Sequence, residues 1–501
     1  MRCAFTEAQG LGRRLAVGSY TLAGAVVLLL GSACRAAAHA PLSSGATTVA
    51  ATVAAATQSP VAPNPGATAW MMVSAALVMV MMPGLALFYG GIVRKKNLLA
   101  IMMTSYSALA IITLQWFLGG YALAFGTSHL HGFIGWDTAR LFFNNLANRA
   151  TQATVFAPGG QVIPEGAYCM FQLMFAIITP ALIAGSVAER MKFSAWIAFL
   201  VLWAFLVYDP LAHAIWSPDG HGWIANIGHL FGAKGGCVDF AGGTVVEIPS
   251  GVSGLVLCWF VGKRLGYPRH VIQPNSLGLT LTGAGLLWFG WYGFNVGSAY
   301  GSNTLACVTF INSTLAAALG GLGWMMAEYI HHRRPTTLGI ATGFIAGLVG
   351  ITPACGFVTI WSAPIIGLIA GVVCYWGSQI KSLFGYDDSL DVFSVHAMGG
   401  FLGLLLTGVF ASAAVNGHGG PNGLLLGNPV QLLWQLLGAV NAVVYAAVGT
   451  AIIAIVIDKT IGLRVPESVE LEGLDVGIHG ENGWDVGTLP EPAISLPSNA
   501  A

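Results

Sequence analysis

ATAWMMVSAALVMVMMPGLALFYGGI, residues 67–92, is followed at once by Arg94, Lys95 and Lys96. A run of 26 residues without a charge exceeds the roughly 20 that a helix needs to cross the hydrocarbon core of a bilayer. Cations gathered just past one end mark the side that stays in the cytoplasm. The stretch therefore reads as a transmembrane helix that starts outside and ends inside.

The rest of the chain repeats this pattern. Of its 501 residues, 55% are hydrophobic and 8% are charged, against roughly a quarter charged in a soluble protein. Lipid must replace water over most of such a surface. Further apolar runs of spanning type lie near residues 98–125, 168–187, 193–216, 241–261, 277–297, 305–326, 336–353, 358–376, 392–411 and 432–457. With the first, the expectation is eleven spans, the eighth being the shortest. Lys and Arg test the count independently. Thirteen follow odd-numbered spans (Arg94, Lys95, Lys96; Arg190, Lys192; Lys263, Arg264, Arg269; Arg333, Arg334; Lys381; Lys459, Arg464), and three follow even ones (Arg140, Arg149, Lys234). The predicted fold is thus an all-α integral membrane protein with its amino terminus outside and its carboxyl terminus inside. Spans one to five and six to ten form two five-helix halves, which an odd number of spans per half inverts relative to each other, and a final helix follows.

The amino-terminal residues differ. Arg13 and Arg14 precede an apolar run, and Ala38-His39-Ala40 follows as a small-x-small site, the pattern of a secretory signal peptide over 1–40. An uncleaved extra helix is the alternative. Residues 41–66, rich in Ala, Thr, Ser and Pro, read as a flexible linker. The membrane domain is expected over 67–463 and a cytoplasmic tail over 464–501. Net charge is zero and no basic stripe occurs, so nucleic acid is not an expected partner. The eight cysteines include no CxxC pair and read as small core residues.

Charge at membrane depth costs at least about 2.5 kcal/mol, so Glu247 in span five and His396 in span ten stand out. Either alone could be a polar residue hydrogen-bonded to a neighbouring helix. Together they occupy corresponding positions in the last helix of each half, the pointer to a midplane transport site. No lysine lies deep in a span, and no motif for hydrolysis, ATP coupling or metal chemistry is present. Neither an enzyme nor a cofactor is expected.

Several motifs carry a family resemblance. Pro83-Gly-Leu-Ala-Leu-Phe-Tyr-Gly-Gly91 with Arg94-Lys-Lys-Asn97 resembles the first helix of the Amt/Mep/Rh ammonium transporters, on their Amt/Mep side. Ala188-Glu-Arg190, Asp239-Phe-Ala-Gly-Gly-Thr244, Gly290-Trp-Tyr-Gly-Phe-Asn-Val-Gly-Ser298, Gly350-Ile-Thr-Pro-Ala-Cys355-Gly and Asp391-Val-Phe-Ser-Val-His396 continue the match, and the tail adds Gly462-Leu-Arg-Val-Pro-Glu467, Glu472-Gly-Leu-Asp475 and His479-Gly-Glu481. The resemblance implies that Trp216, Phe175 and Ser298 recruit the ammonium ion at the outer face, with Asp239 beneath them orienting the backbone. It implies that Phe175 and Phe294 gate the pore. Most relatives carry two histidines in the pore; here Glu247 holds the first position and His396 the second, so a Glu247–His396 proton relay is expected. NH4+ would be deprotonated at the outer site and NH3 and H+ conducted onward, with net charge movement. Methylammonium is an expected second substrate. A homotrimer in the inner (plasma) membrane and a PII-type regulatory protein at the tail are further implications. The alternatives are an ammonium sensor of the same fold and a neutral NH3 or CO2 channel.

Asp209 reads as a structural or vestibule residue of span four. Asp387, Asp388 and Asp391 are expected to cap span ten and contact the tail.

Overall fold

A computed structural model describes residues 62–146, 154–156, 162–269, 273–417 and 419–484. The signal-peptide reading of 1–40 and most of the linker therefore lie outside the described residues. Among the described residues, nine helices are long and apolar enough to cross a membrane: α1 (Pro65–Ile92), α2 (Lys95–Phe125), α3 (Glu165–Val187), α4 (Phe193–Trp216), α5 (Gly243–Val261), α7 (Thr304–His332), α9 (Ser362–Phe384), α10 (Phe393–Phe410) and α11 (Pro429–Thr460). Two shorter segments complete the series among the described residues. They are α6 (Leu277–Trp291), prolonged by a π-type turn at Tyr292–Val296, and α8 (Thr337–Ile351). The eleven agree with the spans read from hydropathy and charge.

Helix α1 begins two residues earlier than the hydropathy suggests. Asn64 Oδ1 accepts from the Ala67 amide at 2.9 Å, and Pro65 occupies the first turn, where its missing N–H costs nothing. The end of the expected linker is thus already helical.

Helices at matching positions of the two halves adjoin, α1 packing on α6 and α5 on α10. The α1–α6 contact is close enough that a Cβ on Gly283 would overlap the backbone of Phe88. Large apolar side chains such as Leu114, Trp259 and Trp361 are exposed, a surface suited to lipid. Cys169, Cys237, Cys258, Cys355 and Cys374 are buried free thiols, in keeping with a packing role.

Between α2 and α3 lie two short antiparallel hairpins, β1 (Thr127–His129) with β2 (Ile134–Trp136) and β3 (Thr154–Phe156) with β4 (Val162–Pro164). Residues Asn226–Gly235 carry a 3-10 turn (Ile227–Phe231), with the Gly228 amide donating to Gly235 O at 3.0 Å.

The cytoplasmic ends are joined by a buried ionic network. Glu189 Oε1 accepts from the Arg94 amide at 2.7 Å and from Asn97 Nδ2 at 3.0 Å, while Oε2 pairs with Arg264 at 3.1 Å. Arg264 also grips Asp387 in a two-pronged pair, Nη2 to Oδ1 at 2.8 Å and Nε to Oδ2 at 2.9 Å. The tail fastens here too. The Leu474 amide donates to Asn97 Oδ1 at 2.9 Å, and Asp475 Oδ1 accepts from the Ala100 amide at 2.8 Å. Glu470 accepts from the Leu265 amide and pairs with Arg464, each at 2.7 Å. The aspartates before α10 divide the work differently from expectation. Asp388 Oδ2 does cap α10 by accepting from the Phe393 amide at 2.8 Å, but Asp387 serves Arg264 and Asp391 pairs with Lys381 at 2.7 Å. Asp387 and Asp391 thus spend their charge on cations of the membrane domain itself.

Burial opposes ionisation of Asp387, but its hydrogen bonds and charge contact with Arg264 outweigh that and hold the carboxyl below its ordinary range. Glu189 is likewise penalised by burial and held low by Arg264 and Arg94. A carboxylate with a depressed folded pKa stabilises in full above its unfolded value, near pH 4, and that contribution is lost as pH falls from there through the folded value. The melting temperature of the purified protein should therefore drop steeply below about pH 4. Asp387→Asn should melt lower at neutral pH and show a shallower acid limb; a limb of wild-type steepness would contradict this assignment.

Candidate functional site

Three π-type turns carry the site. Such turns widen the helix by one residue and are common where side chains do work. One, Tyr292–Val296, follows α6 and holds Phe294; the others open α5 (Gly243–Glu247) and α10 (Phe393–Met398) and hold Glu247 and His396. The matching position of the last two within their halves agrees with the correspondence read from sequence.

At the outer end, Phe175 of α3 stacks on Phe294 with ring centroids 4.1 Å apart and planes 17° from parallel. Trp216, the last residue of α4, meets Phe175 edge-on at 5.8 Å. Ser298 lies one turn beyond Phe294, and its hydroxyl donates to the Phe294 carbonyl at 2.8 Å. That leaves the oxygen lone pairs to accept an N–H from a ligand. The indole N–H of Trp216 donates to the Asp239 carbonyl at 2.9 Å. The Asp239 side chain in turn accepts from the amides of Gly242 and Gly243 at 2.8 Å and Thr244 at 2.6 Å, and from the Thr244 hydroxyl. A buried carboxylate so engaged is an internal cap for the start of α5. It also brings a negative charge beneath an aromatic cluster, and both features favour a cation.

A Cβ on Gly242 would lie 3.5 Å from the Trp216 ring, and the Gly242 carbonyl accepts from the Val246 and Glu247 amides at 2.7 and 2.9 Å. One turn inward from it, Glu247 is fully buried, and Oε2 lies 2.7 Å from His396 Nδ1. The other oxygen, Oε1, is buried with no hydrogen-bond partner among the described residues. A carboxylate and an imidazole at this distance can hold a single proton between them and hand it on.

Below the pair, a cavity of ≈ 250 Å³ is lined by His396, Tyr89, Glu328, Tyr375 and Asp391, among others. It lies toward the cytoplasmic ends of α7, α9 and α10. The stacked rings thus lie on the outer side of the pair, and the cavity reaches His396 on the inner side. Among the described residues no cluster of three or more His, Cys, Asp or Glu is placed to hold a metal ion.

The seven residues singled out from sequence form one connected series: Ser298, Phe294, Phe175, Trp216 and Asp239 outside, then Glu247 and His396. Sequence reasoning missed their supports. Asn295 donates to Ser313 Oγ at 3.0 Å and accepts from the Thr352 hydroxyl at 3.3 Å, and Thr352 accepts from the Trp291 indole at 3.0 Å. Both lie inside the motifs quoted above, which was the available signal. Tyr89, whose hydroxyl donates to Leu182 O at 2.9 Å, also sits in a motif. Asp209 is fully buried away from this series and accepts from Gln115 Nε2 at 2.7 Å.

The Ammonium Transporter Family signature matches residues 69–484. An ammonium transporter of Mycobacterium tuberculosis (strain ATCC 25618 / H37Rv) is 44% identical over 461 residues, covering 87% of this chain and 94% of the relative. One from Aquifex aeolicus is 45% identical over 423 residues, covering 84% and 94%. The crystal structure of Saccharomyces cerevisiae Mep2 superposes with a TM-score of 0.74 at 34% identity, over 81% of this chain and 89% of that one. A structure described as a sensor Amt protein superposes with a TM-score of 0.72 at 27% identity, over 82% and 98%. The chain is a multi-pass membrane protein that belongs to the ammonium transporter family.

Proposed function

We propose that the protein carries ammonium inward across the inner (plasma) membrane, moving net charge. One observation carries the reading: a buried carboxylate–imidazole pair, 2.7 Å apart, stands between an aromatic outer site and an inner cavity. NH4+ is drawn to the faces of Trp216 and Phe175, within the roughly 6 Å over which a ring quadrupole attracts a cation, and donates to Ser298 Oγ. Asp239 fixes the turn beneath it. The ion gives up a proton to pass the Phe175–Phe294 gate as neutral NH3, because an unpaired ion in an apolar passage is prohibitively costly. Glu247 and His396 take up that proton and pass it to the cavity. Transport thus proceeds by conduction and proton exchange, without covalent chemistry. Methylammonium, which keeps three N–H donors, is a second substrate.

The same reading takes residues 1–40 as a signal peptide, 41–66 as a linker ahead of the membrane domain, and 464–501 as a regulatory tail. It also takes a homotrimer as the working assembly and a PII-type protein as a partner of the tail. Family membership and the docking of the tail on the cytoplasmic network support this.

The test is current on a solid-supported membrane, using proteoliposomes and an ammonium pulse. A saturable current is expected, absent with sodium and lost in Asp239→Ala. Uptake of labelled methylamine without current would favour a neutral gas channel. Neither current nor uptake would favour a sensor.

A further inference from the structure

The outer site is assembled from residues of different helices, and something must set its width. Phe175 belongs to α3, and Ser298 follows α6 one turn beyond Phe294. The Phe175–Phe294 stack joins the two sides, but these rings must part when ammonia passes, so they cannot also hold the spacing. A second bridge lies beside them. The phenol oxygen of Tyr300 accepts a hydrogen bond from Gln172 Nε2 at 2.8 Å, across 128 residues of chain. Its ring packs on Tyr168 at 5.5 Å and edge-on to Phe171 at 5.8 Å, and Phe171 meets Phe175 at 4.9 Å. Tyr168, Phe171, Gln172 and Phe175 follow the i, i+3, i+4, i+7 spacing, so one face of α3 receives the whole contact.

Tyr300 is coupled tightly to Ser298. The Tyr300 amide donates to Gly297 O at 2.8 Å and the Ser298 amide to Asn295 O at 3.2 Å, so the segment from Asn295 to Tyr300 is wound without slack. Tyr300 also has φ 52°, a left-handed backbone that glycine adopts freely and a tyrosine adopts at a cost. A bulky side chain kept at such a position points to work that glycine could not do.

We infer that Tyr300 is a positioning residue for cation capture: through Gln172 it clasps the Ser298 segment to α3 and fixes how far the Ser298 hydroxyl stands from the ring faces of Phe175 and Trp216. The inference rests on the reading of these three as the recruitment site. A site of one hydroxyl and two ring faces binds a small ion only while all three converge, and displacements on the order of 1 Å are enough to spoil such geometry. Loss of the clasp therefore weakens capture and leaves the later proton transfer at Glu247 and His396 untouched.

The experiment measures current against ammonium concentration for the full-length protein in proteoliposomes. The variants are Tyr300→Phe, Gln172→Leu, the two combined, and Ser298→Ala. Tyr300→Phe keeps the ring contacts and removes the hydrogen bonds of the phenol oxygen, to Gln172 and to Tyr168. It should raise the half-saturating ammonium concentration roughly fivefold, the value of one ordinary hydrogen bond, with the plateau current within about twofold of wild type. Gln172→Leu should act in the same direction, and the double variant should cost less than the sum of the two single ones, because both remove the Gln172–Tyr300 bond within one hydrogen-bonded group with Tyr168. If Tyr300→Phe is recovered poorly, Gln172→Leu reads the same bond. Unchanged half-saturation in both, or a fall confined to the plateau, overturns the inference provided Ser298→Ala raises half-saturation. If Ser298→Ala also leaves half-saturation unchanged, the recruitment-site reading fails and takes this inference with it.

Discussion

Replacing Glu247 with Gln should all but abolish the ammonium-evoked current, by roughly a hundredfold or more, the scale on which a positioned proton carrier contributes. The substitution keeps the shape of the side chain, and an amide oxygen can still face His396 Nδ1 across the 2.7 Å contact. What it removes is the ability to bind and release a proton. The melting temperature should stay close to wild type, which separates a lost relay from a lost fold. Glu247→His places two imidazoles in contact, an arrangement that can also pass a proton, and should retain current. Full current in Glu247→Gln would mean that the proton travels by another route.

Arg190→Met should prevent recovery of folded protein. The guanidinium is fully buried, and each of its five N–H groups has an acceptor. Nε donates to Gly262 O at 2.7 Å, Nη1 to Ala188 O at 3.0 Å and Ser389 Oγ at 2.6 Å, and Nη2 to Ser186 O at 3.1 Å and Asp387 O at 2.6 Å. These acceptors come from the cytoplasmic ends of α3 and α5 and from the segment before α10. Removing the donor leaves up to five buried oxygens short of a partner at about 1–3 kcal/mol each, which rivals the whole stability of a typical fold. Lysine offers three donors and no planar fork, so Arg190→Lys should rescue little. The check is the monodisperse yield and melting temperature in detergent; a shift of only a few degrees would show that the acceptors find other partners.

The fold was legible because a bilayer imposes a simple code. Uninterrupted apolar runs, with cations after every second one, leave little freedom in the count, and even the short α8 falls where the alternation demands a span. Glu247 and His396 were legible for the same reason, since each stands alone among apolar neighbours. The π-type turns that aim them were not. Such a turn depends on hydrogen bonds shifted by one residue under tertiary packing, and no residue type announces it. The onset of α1 was readable from Asn64 and Pro65, a cap followed by a first-turn proline, but hydropathy alone passes over polar caps. The partners of Asp387 and Tyr300 lie 123 and 128 residues away, and pairing at that distance leaves no local mark.

The tail adds a consequence for how the protein is made. The bond between the Leu474 amide and Asn97 spans 377 residues, and the one from Ala100 to Asp475 spans 375. The ribosome delivers α1 and α2 to the membrane long before their final partners exist. Asn97 and the Ala100 amide must therefore wait, unpaired by the tail, through the insertion of nine more helices. A chain cut short after α11 would have every span in place and its cytoplasmic face unfastened. Correct closure of that face thus reports that synthesis has run to the tail, and a membrane protease able to grip loose cytoplasmic loops could tell finished copies from unfinished ones by that difference alone.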